Sequence, residues 1–395
     1  MKFLFTLLLC FQFLSAQVWL PIDDYPGLKR DDGVAVVVGN KAYVGTGLVE
    51  WALTLDFWVM DLNTYTWSYG KAMPDNSNRQ YSCAFAGDGC YYVFGGIANG
   101  GANKDMFKYD VASNSWSLVT AKPGLGISGA ACMNFGDKVI ISGGKFQNDK
   151  SSAEVWEYTK STDTWVQKND YPFSGRWRAS ATVLNNTGYL IFGRDSGGAL
   201  RKEFYKYTPS TDSWTKIMDF PGARGRNYAS LNVAHGKLTV FGGIDSLENF
   251  YKDIWYFNET TTSWLQGPDL PAAGRKGGMS WAYGNDLFYT CGIAGGLRVT
   301  ETWKTDVPLG IKKDTEQSLF TVYPNPTNGK ITLSLPSNAF GNLACSIYDI
   351  FGRTLGKLDL ASQSELDLSN FTTGIYFLKF YSGNELVETK KLVKN

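Results

Sequence analysis

The sequence predicts an all-β protein, a six-bladed β-propeller followed by a small β-sandwich. Three observations carry this expectation. Trp19, Trp67, Trp116, Trp165, Trp214 and Trp264 recur at spacings of 48, 49, 49, 49 and 50 residues, and a repeat of about 40 to 50 residues is the length of one four-stranded blade. Between them, alternating apolar runs are broken by Gly, Asn and Asp, the pattern of short strands joined by tight turns. Beyond Pro308 the period stops and a different series of short strands begins.

Composition sets outer limits. The 395 residues carry 38 Lys and Arg against 37 Asp and Glu, a balance that argues against nucleic acid or an anionic membrane surface as partner. Met1-Lys2, the apolar run Phe3–Leu14 and the small pair Ser15-Ala16 read as a signal peptide over residues 1–16, with the mature chain beginning at Gln17. That run is too short for a retained span of ~20 residues, and no later stretch is apolar enough, so no transmembrane segment is expected. Cys83, Cys90, Cys132, Cys291 and Cys345 remain after cleavage, an odd set that cannot pair completely. Cys83 and Cys132 lie 49 residues apart, at the same place in successive repeats, and read as small core residues and not as a disulfide.

Each repeat has a fixed order. A proline (Pro26, Pro74, Pro123, Pro172, Pro221, Pro271) follows each ruler tryptophan and ends a strand, because it cannot donate to a ladder. The first strand comes next, as in Gly33–Val38 or Tyr228–Val233, and a turn such as Gly39-Asn40 or Gly284-Asn285 leads to the second. The second strand ends in glycines, as in Phe94-Gly95-Gly96, Ser142-Gly143-Gly144 and Phe241-Gly242-Gly243. Thr46, Arg194 and Ile293 are read as standing where the second glycine is missing. After a variable loop, the third strand opens on an acid two residues before an aromatic: Asp56, Asp105, Glu154, Glu203, Asp253 and Glu301 precede Trp58, Phe107, Trp156, Tyr205, Trp255 and Trp303. The ruler tryptophan marks the fourth strand.

The two ends complement each other. Trp19 has no three strands before it, whereas Met279–Trp281, Leu287–Tyr289 and Thr302–Lys304 have no tryptophan after them. Residues 17–310 are therefore expected to form six blades, with the N-terminal strand closing blade 6 and leaving no free edge. This order of di-glycine, spaced aromatic and tryptophan resembles the Kelch repeat over roughly residues 17–306.

Residues 311–319 read as a polar linker. In residues 320–395, Tyr323-Pro324-Asn325-Pro326, Lys330–Leu335, Cys345–Arg353, Leu366–Leu368, Gly374–Phe380 and Lys391–Asn395 alternate strands with turns, as in a small sandwich. Their order resembles the type A C-terminal sorting domain of the type IX secretion system. The resemblance implies a bacterium of the Bacteroidota, Sec export followed by passage over the outer membrane, and the secretion machinery as partner of residues 320–395. The protein would be secreted or displayed on the outer-membrane surface, and the tail would be an address rather than an active site.

The chemistry is sparse. His235 is the single histidine, which argues against multi-imidazole metal sites and His-based triads; copper oxidases built on Kelch propellers are similar in fold only. No phosphate loop, dinucleotide fingerprint or serine elbow stands in a fitting context, so no catalytic residue, metal or cofactor is assigned. Arg30, Arg79, Arg176, Arg226 and Arg275 recur four or five residues after the blade proline, at the start of the first strand, while blade 3 has Ile127-Ser128. Since the first strand lines a propeller's axis, these five are expected to ring the channel mouth, where guanidinium groups suit carboxylate or sulfate. The competing reading is that each pairs with carbonyls or a neighbouring acid to fix a blade junction. Trp51 in a loop, and Trp177 beside Arg176 and Arg178, add aromatics for sugar stacking or a protein hot spot. Three functions stay open: a scaffold for assembly at the outer membrane, which makes little use of the ring, a binding module for an extracellular glycan or protein, or an enzyme on an acidic sugar. The enzyme reading resembles Kelch-type sialic acid mutarotases and epimerases, with an arginine of the ring and a nearby acid such as Asp195 or Asp245 moving a proton.

Overall fold

The computed structural model describes residues 19–98, 100–305, 320–334, 343–349, 352–360, 363–382 and 385–395. The signal-peptide and linker readings lie outside the described residues. The chain divides into two compact units, Met1–Pro308 and Leu309–Asn395.

Among the described residues, the first unit contains six four-stranded antiparallel sheets. Sheet 1 is Val34–Val38, Lys41–Gly45, Phe57–Asp61 and Trp67–Tyr69; sheet 2 is Cys83–Gly87, Cys90–Phe94, Met106–Asp110 and Ser115–Val119. Sheet 3 is Ala131–Phe135, Lys138–Ser142, Val155–Thr159 and Thr164–Gln167; sheet 4 is Ser180–Leu184, Thr187–Ile191, Glu203–Thr208 and Ser213–Asp219. Sheet 5 is Ser230–Ala234, Lys237–Phe241, Ile254–Asn258 and Ser263–Gln266. In sheet 6, Met279–Tyr283, Asp286–Thr290 and Thr302–Thr305 are completed by Trp19–Ile22, with Trp19 opposite Thr305 and Ile22 opposite Thr302. The first strands adjoin one another in a closed cycle that returns from sheet 6 to sheet 1.

Packing explains the sequence pattern. Second strands lie between neighbouring sheets and are buried on both faces, as in Cys90–Phe94, so they read as unbroken apolar runs. Outer strands such as Ser115–Val119 are largely exposed and keep polar residues. Each ruler tryptophan reaches the sheet before its own. Trp19 meets Phe241, Trp67 meets Trp281, Trp116 meets Phe57, Trp165 meets Phe94 and Trp264 meets Phe204, with centroids 4.7 to 6.4 Å apart. Trp214 joins the cluster of Met133 and Val155 in sheet 3. The period of the sequence is thus the period of the sheet-to-sheet contact.

Two register readings need correction. The glycine missing from the irregular copies is the first of the pair. Thr46-Gly47, Phe192-Gly193 and Cys291-Gly292 have φ of 57° and 97°, 68° and 90°, and 59° and 89°, matching Gly95-Gly96 at 62° and 93°. The second glycine is present in all six sheets because a Cβ there would strike backbone; at Gly47 it would lie 2.5 Å from the Asp31 carbonyl oxygen. The cysteines are also offset. Cys83 pairs with Phe94 while Ala131 pairs with Ser142, so Ala131 is the counterpart of Cys83, and Cys132 is the counterpart of Ala84.

The second unit has a three-stranded sheet of Thr321–Tyr323, Lys330–Ser334 and Gln363–Asp367 and a four-stranded sheet of Thr354–Asp359, Leu343–Tyr348, Gly374–Ser382 and Glu385–Lys394. They share one core, with Phe320, Ile331 and Leu333 against Cys345, Leu378 and Phe380.

Removing residues 17–24 takes away a buried tryptophan and the outer strand of sheet 6. The expected result is a melting temperature lower by about 10 °C or more; an unchanged calorimetric melt would contradict the closing role of Trp19.

Candidate functional site

The site has to be built outward from the arginines. Each is buried, with Arg30, Arg79, Arg226 and Arg275 at no more than 1% exposure and Arg176 at 2%. Their guanidinium groups do not ring the channel mouth. Each turns back into its own sheet and pairs with the acid 26 or 27 residues later. Arg30 holds Asp56 through two bonds of 2.8 Å, Arg79 holds Asp105 at 2.9 and 3.1 Å, and Arg226 holds Asp253 at 2.7 and 2.6 Å. Arg176 meets Glu203 at 3.4 Å and Arg275 meets Glu301 at 2.8 Å. Nη1 of Arg30, Arg79 and Arg226 also donates to a carbonyl of the glycine turn, at Thr46, Gly95 and Gly242. These guanidinium groups are buried and committed to carboxylates, with Arg226 Nε and Arg275 Nη1 left unpartnered but both out of reach of solvent, so the junction-fixing reading replaces the ring of ligand-binding arginines.

The acid two residues before an aromatic now has a cause. Trp156, Trp255 and Trp303 donate their indole N–H to Glu154, Asp253 and Glu301, the same carboxylates that take the cations. Sheet 3, whose arginine position is Ile127, supplies Lys122 instead: its Nζ lies 3.0 Å from Glu154 and 4.7 Å from the Trp156 ring centroid. The sequence offered a neighbouring acid as one partner for the arginines but identified neither which acid nor Lys122 as the substitute, although the constant spacing from arginine to acid was a readable signal.

Two residues beyond each arginine position the backbone becomes left-handed. Asp32, Tyr81, Gly129, Arg178, Tyr228 and Gly277 have φ between 58° and 65°, and they bond to one another around the axis. Asp32 N donates to Gly277 O at 2.7 Å, Tyr81 N to Asp32 O at 3.0 Å, Gly129 N to Tyr81 O at 2.7 Å, Arg178 N to Gly129 O at 2.9 Å and Gly277 N to Tyr228 O at 3.4 Å. The side chains of this ring are therefore the ones that meet at the centre. Arg178 pairs with Asp32 and lies between Tyr81 and Tyr228, 4.9 and 4.3 Å from their ring centroids. A cavity of about 190 Å³ adjoins the ring, lined by Arg178, Tyr228 and the small residues Gly33, Ala130, Ala181, Ser230 and Ser280.

Charge gathers around this centre. Lys145 lies 4.7 Å from the Trp177 ring centroid and pairs with Asp149, and Arg298 pairs with Asp31. Arg194 donates to the Gly198 carbonyl, and Lys276 lies 5.0 Å from the Tyr228 centroid and 5.9 Å from that of Phe250. Among the described residues, neither Arg194 nor Lys276 has a carboxylate partner. Burial pushes the Asp32 carboxyl up to about 7, with Asp31 adding to the shift while Arg178 and Lys276 oppose it.

The remaining sequence candidates divide. Trp177 is largely buried and packs edge-on to Tyr81 and Tyr228, so it belongs to the axial cluster. Trp51 is 95% exposed between the two-residue strands Leu48–Val49 and Ala52–Leu53, and does not join that cluster. Asp195 and Asp245 are loop organisers. Asp195 accepts from Ala199 N and Arg201, and Asp245 from the backbone N–H groups of Leu247 and Asn249 and from the Tyr251 hydroxyl. Burial works against ionisation at both, but these donors prevail and hold both carboxyls below the usual range, which suits neither to donate a proton. His235 lies in the turn between the first two strands of sheet 5.

Arg226→Ala leaves Asp253 without its buried cation and is expected to destabilise the protein by about 3 to 5 kcal/mol, whereas Arg194→Ala on the surface changes denaturant stability by less than about 0.5 kcal/mol. Asp32 adds a pH term. Its folded-state pKa stands above the ordinary 3.8, so its stabilising contribution is complete below that value and is lost as pH rises through about 7. Unfolding free energy of the wild type relative to Asp32→Asn should therefore fall between pH 4 and pH 8; a flat difference would contradict the shift.

The geometry can be set beside known proteins. Residues 129–311 match the KLHDC2/KLHL20/DRC7 Kelch-repeats domain, residues 78–123 match the Kelch motif, and residues 321–395 match the secretion system C-terminal sorting domain. A solved structure titled "Structure of YjhT" is similar at 21% identity and a TM-score of 0.62, covering 71% of this chain and 96% of that one; the likeness shows the fold. No curated protein matches. Glycine turns that link neighbouring sheets, tryptophans that keep their period and a tail that folds on its own core converge with these matches: the chain is a Kelch-repeat β-propeller protein with a C-terminal sorting domain of the type IX secretion system.

Proposed function

We propose that the protein is an extracellular binding module that captures an anionic ligand, a glycan or a protein segment, on the face around Arg178. One observation carries this reading. Among the described residues, Arg194 and Lys276 form no ion pair with a carboxylate, Lys276 lies beside the rings of Tyr228 and Phe250, and Arg194 pairs through its backbone with Trp177; a charge-assisted bond to such a group is worth about 1.5 to 3 kcal/mol. The sorting tail supplies the location, because it sends the propeller to the cell surface or beyond. Full-length protein should bind acidic glycans in preference to neutral ones, and Arg194→Ala with Lys276→Ala should weaken that binding by about ten- to a hundredfold. Lys216→Ala, on an outer strand, should leave it unchanged. Binding that survives the double change would remove the rim from consideration.

A second reading is favoured by Asp32. A carboxyl with a pKa of about 7, paired with Arg178 and flanked by two tyrosines, is suited to donate and accept a proton near neutrality. It takes the role expected of Asp195 or Asp245 in a sugar-acid mutarotase. Anomer exchange of an acidic sugar, followed by NMR, would be accelerated by the wild type and lost in Asp32→Asn with the melt otherwise retained.

A further inference from the structure

The one-residue offset of the cysteines puts them face to face. Cys83 opens the first strand of sheet 2 and Cys132 is the second residue of the first strand of sheet 3, and these strands adjoin. Successive side chains on a strand point to opposite faces, so Cys83 turns toward sheet 3 while Cys132 turns back toward sheet 2. Their contacts agree. Cys83 packs with Val139, Ile141 and Tyr158 of sheet 3, Cys132 borders the same cluster, and its Sγ donates to the carbonyl of Ala84 at 3.5 Å. Cys132 is the neighbour that most perturbs the Cys83 thiol. Of the other thiols, Cys90 shares this cluster but pairs with Gly87, at the far end of the strand that Cys83 opens, while Cys291 and Cys345 lie in different cores.

We propose that Cys83 and Cys132 form a disulfide that staples sheet 2 to sheet 3 once the protein is exported. Disulfides persist in the compartments to which a sorting domain delivers its cargo, and cysteines that face each other from adjoining strands across one packed cluster are placed to be bridged. The place is also telling. Sheet 3 is the sheet whose arginine is replaced by Ile127, and the cysteines lie at its junction with sheet 2. Elsewhere the two registers hold Val34, Ser180, Ser230 or Met279 and Ala35, Ala181, Leu231 or Ser280.

The step is thiol–disulfide exchange with a disulfide-bearing oxidant. The thiolate of Cys132, the more exposed of the two, attacks one oxidant sulfur and expels the other as a thiolate. Cys83 then gives up its proton and attacks Cys132 Sγ, forming the new S–S bond and releasing the second oxidant sulfur. Two electrons and two protons pass from the cysteines to the oxidant, which leaves as two thiols. The neighbouring Cys132 and burial hold the Cys83 thiol well above its usual range, which disfavours it as the first attacking thiolate.

The test counts thiols. Full-length protein treated with oxidised glutathione, then unfolded in iodoacetamide, should alkylate at three of the five cysteines beyond residue 16, and at all five after reduction. A non-reducing digest should contain one peptide pair joined through Cys83 and Cys132, and reduction should lower the melting temperature. Cys132→Ala, which installs the residue found at this register in sheets 1, 2 and 4, should alkylate at all four remaining positions without reductant, with a melt insensitive to reduction. Five alkylated cysteines in the oxidised wild type, or a bond from Cys83 to any other cysteine, would overturn the proposal.

Discussion

The propeller depends on one hydrogen bond made six times. The second glycine of each turn donates its N–H to the carbonyl at the arginine position of the next sheet: Gly47 to Arg79, Gly96 to Ile127, Gly144 to Arg176, Gly193 to Arg226, Gly243 to Arg275 and Gly292 to Arg30, at 2.6 to 2.9 Å. The last closes the cycle. A carbonyl can serve this way only if its residue is held still, and the buried ion pair does the holding in five sheets. Removing the carboxylate would leave a buried guanidinium without its counter-charge, which costs several kcal/mol, so each of these junctions resists both sliding and opening.

Everything at the axis follows from that clamp. With the arginine position fixed, the residue two further on is carried to the centre in a left-handed conformation, and its N–H or carbonyl meets its neighbour in the ring. The clamp positions must repeat, because each junction solves the same packing problem. The ring positions need only tolerate the backbone, and they hold an aspartate, two tyrosines, an arginine and two glycines. Departures from the period therefore accumulate where six sheets converge. A site built there has the rigidity of the scaffold beneath it and the freedom of positions that the scaffold does not constrain.

Much of this was legible beforehand, and the failures have identifiable causes. The tryptophan interval, the glycine turns and the complementary ends were sufficient for the all-β fold, because each reflects a contact that recurs at every junction. The arginines were visible as a repeat, but their direction was not. A side chain at the start of a strand can face the axis or its own sheet, and here a carboxylate 26 or 27 residues away decided the matter. Asp32 and Arg178 carried no signal of their own, since their pairing spans 146 residues of sequence.

The sequence by itself therefore determined that sheets repeat, where each begins, and that the chain ends in an address for export. The repeat is periodic, so spacing records it, whereas the export address is legible through the tail's resemblance to a known sorting domain. Only the tertiary structure decided which cations are sequestered and which remain unpaired, and that Asp32 meets Arg178. It also decided that Cys83 faces Cys132. The axial pair depends on the closure that brings distant sheets together, and the cysteine contact on which face of a strand a residue occupies, where a shift of one residue reverses the face without disturbing the spacing of the tryptophans.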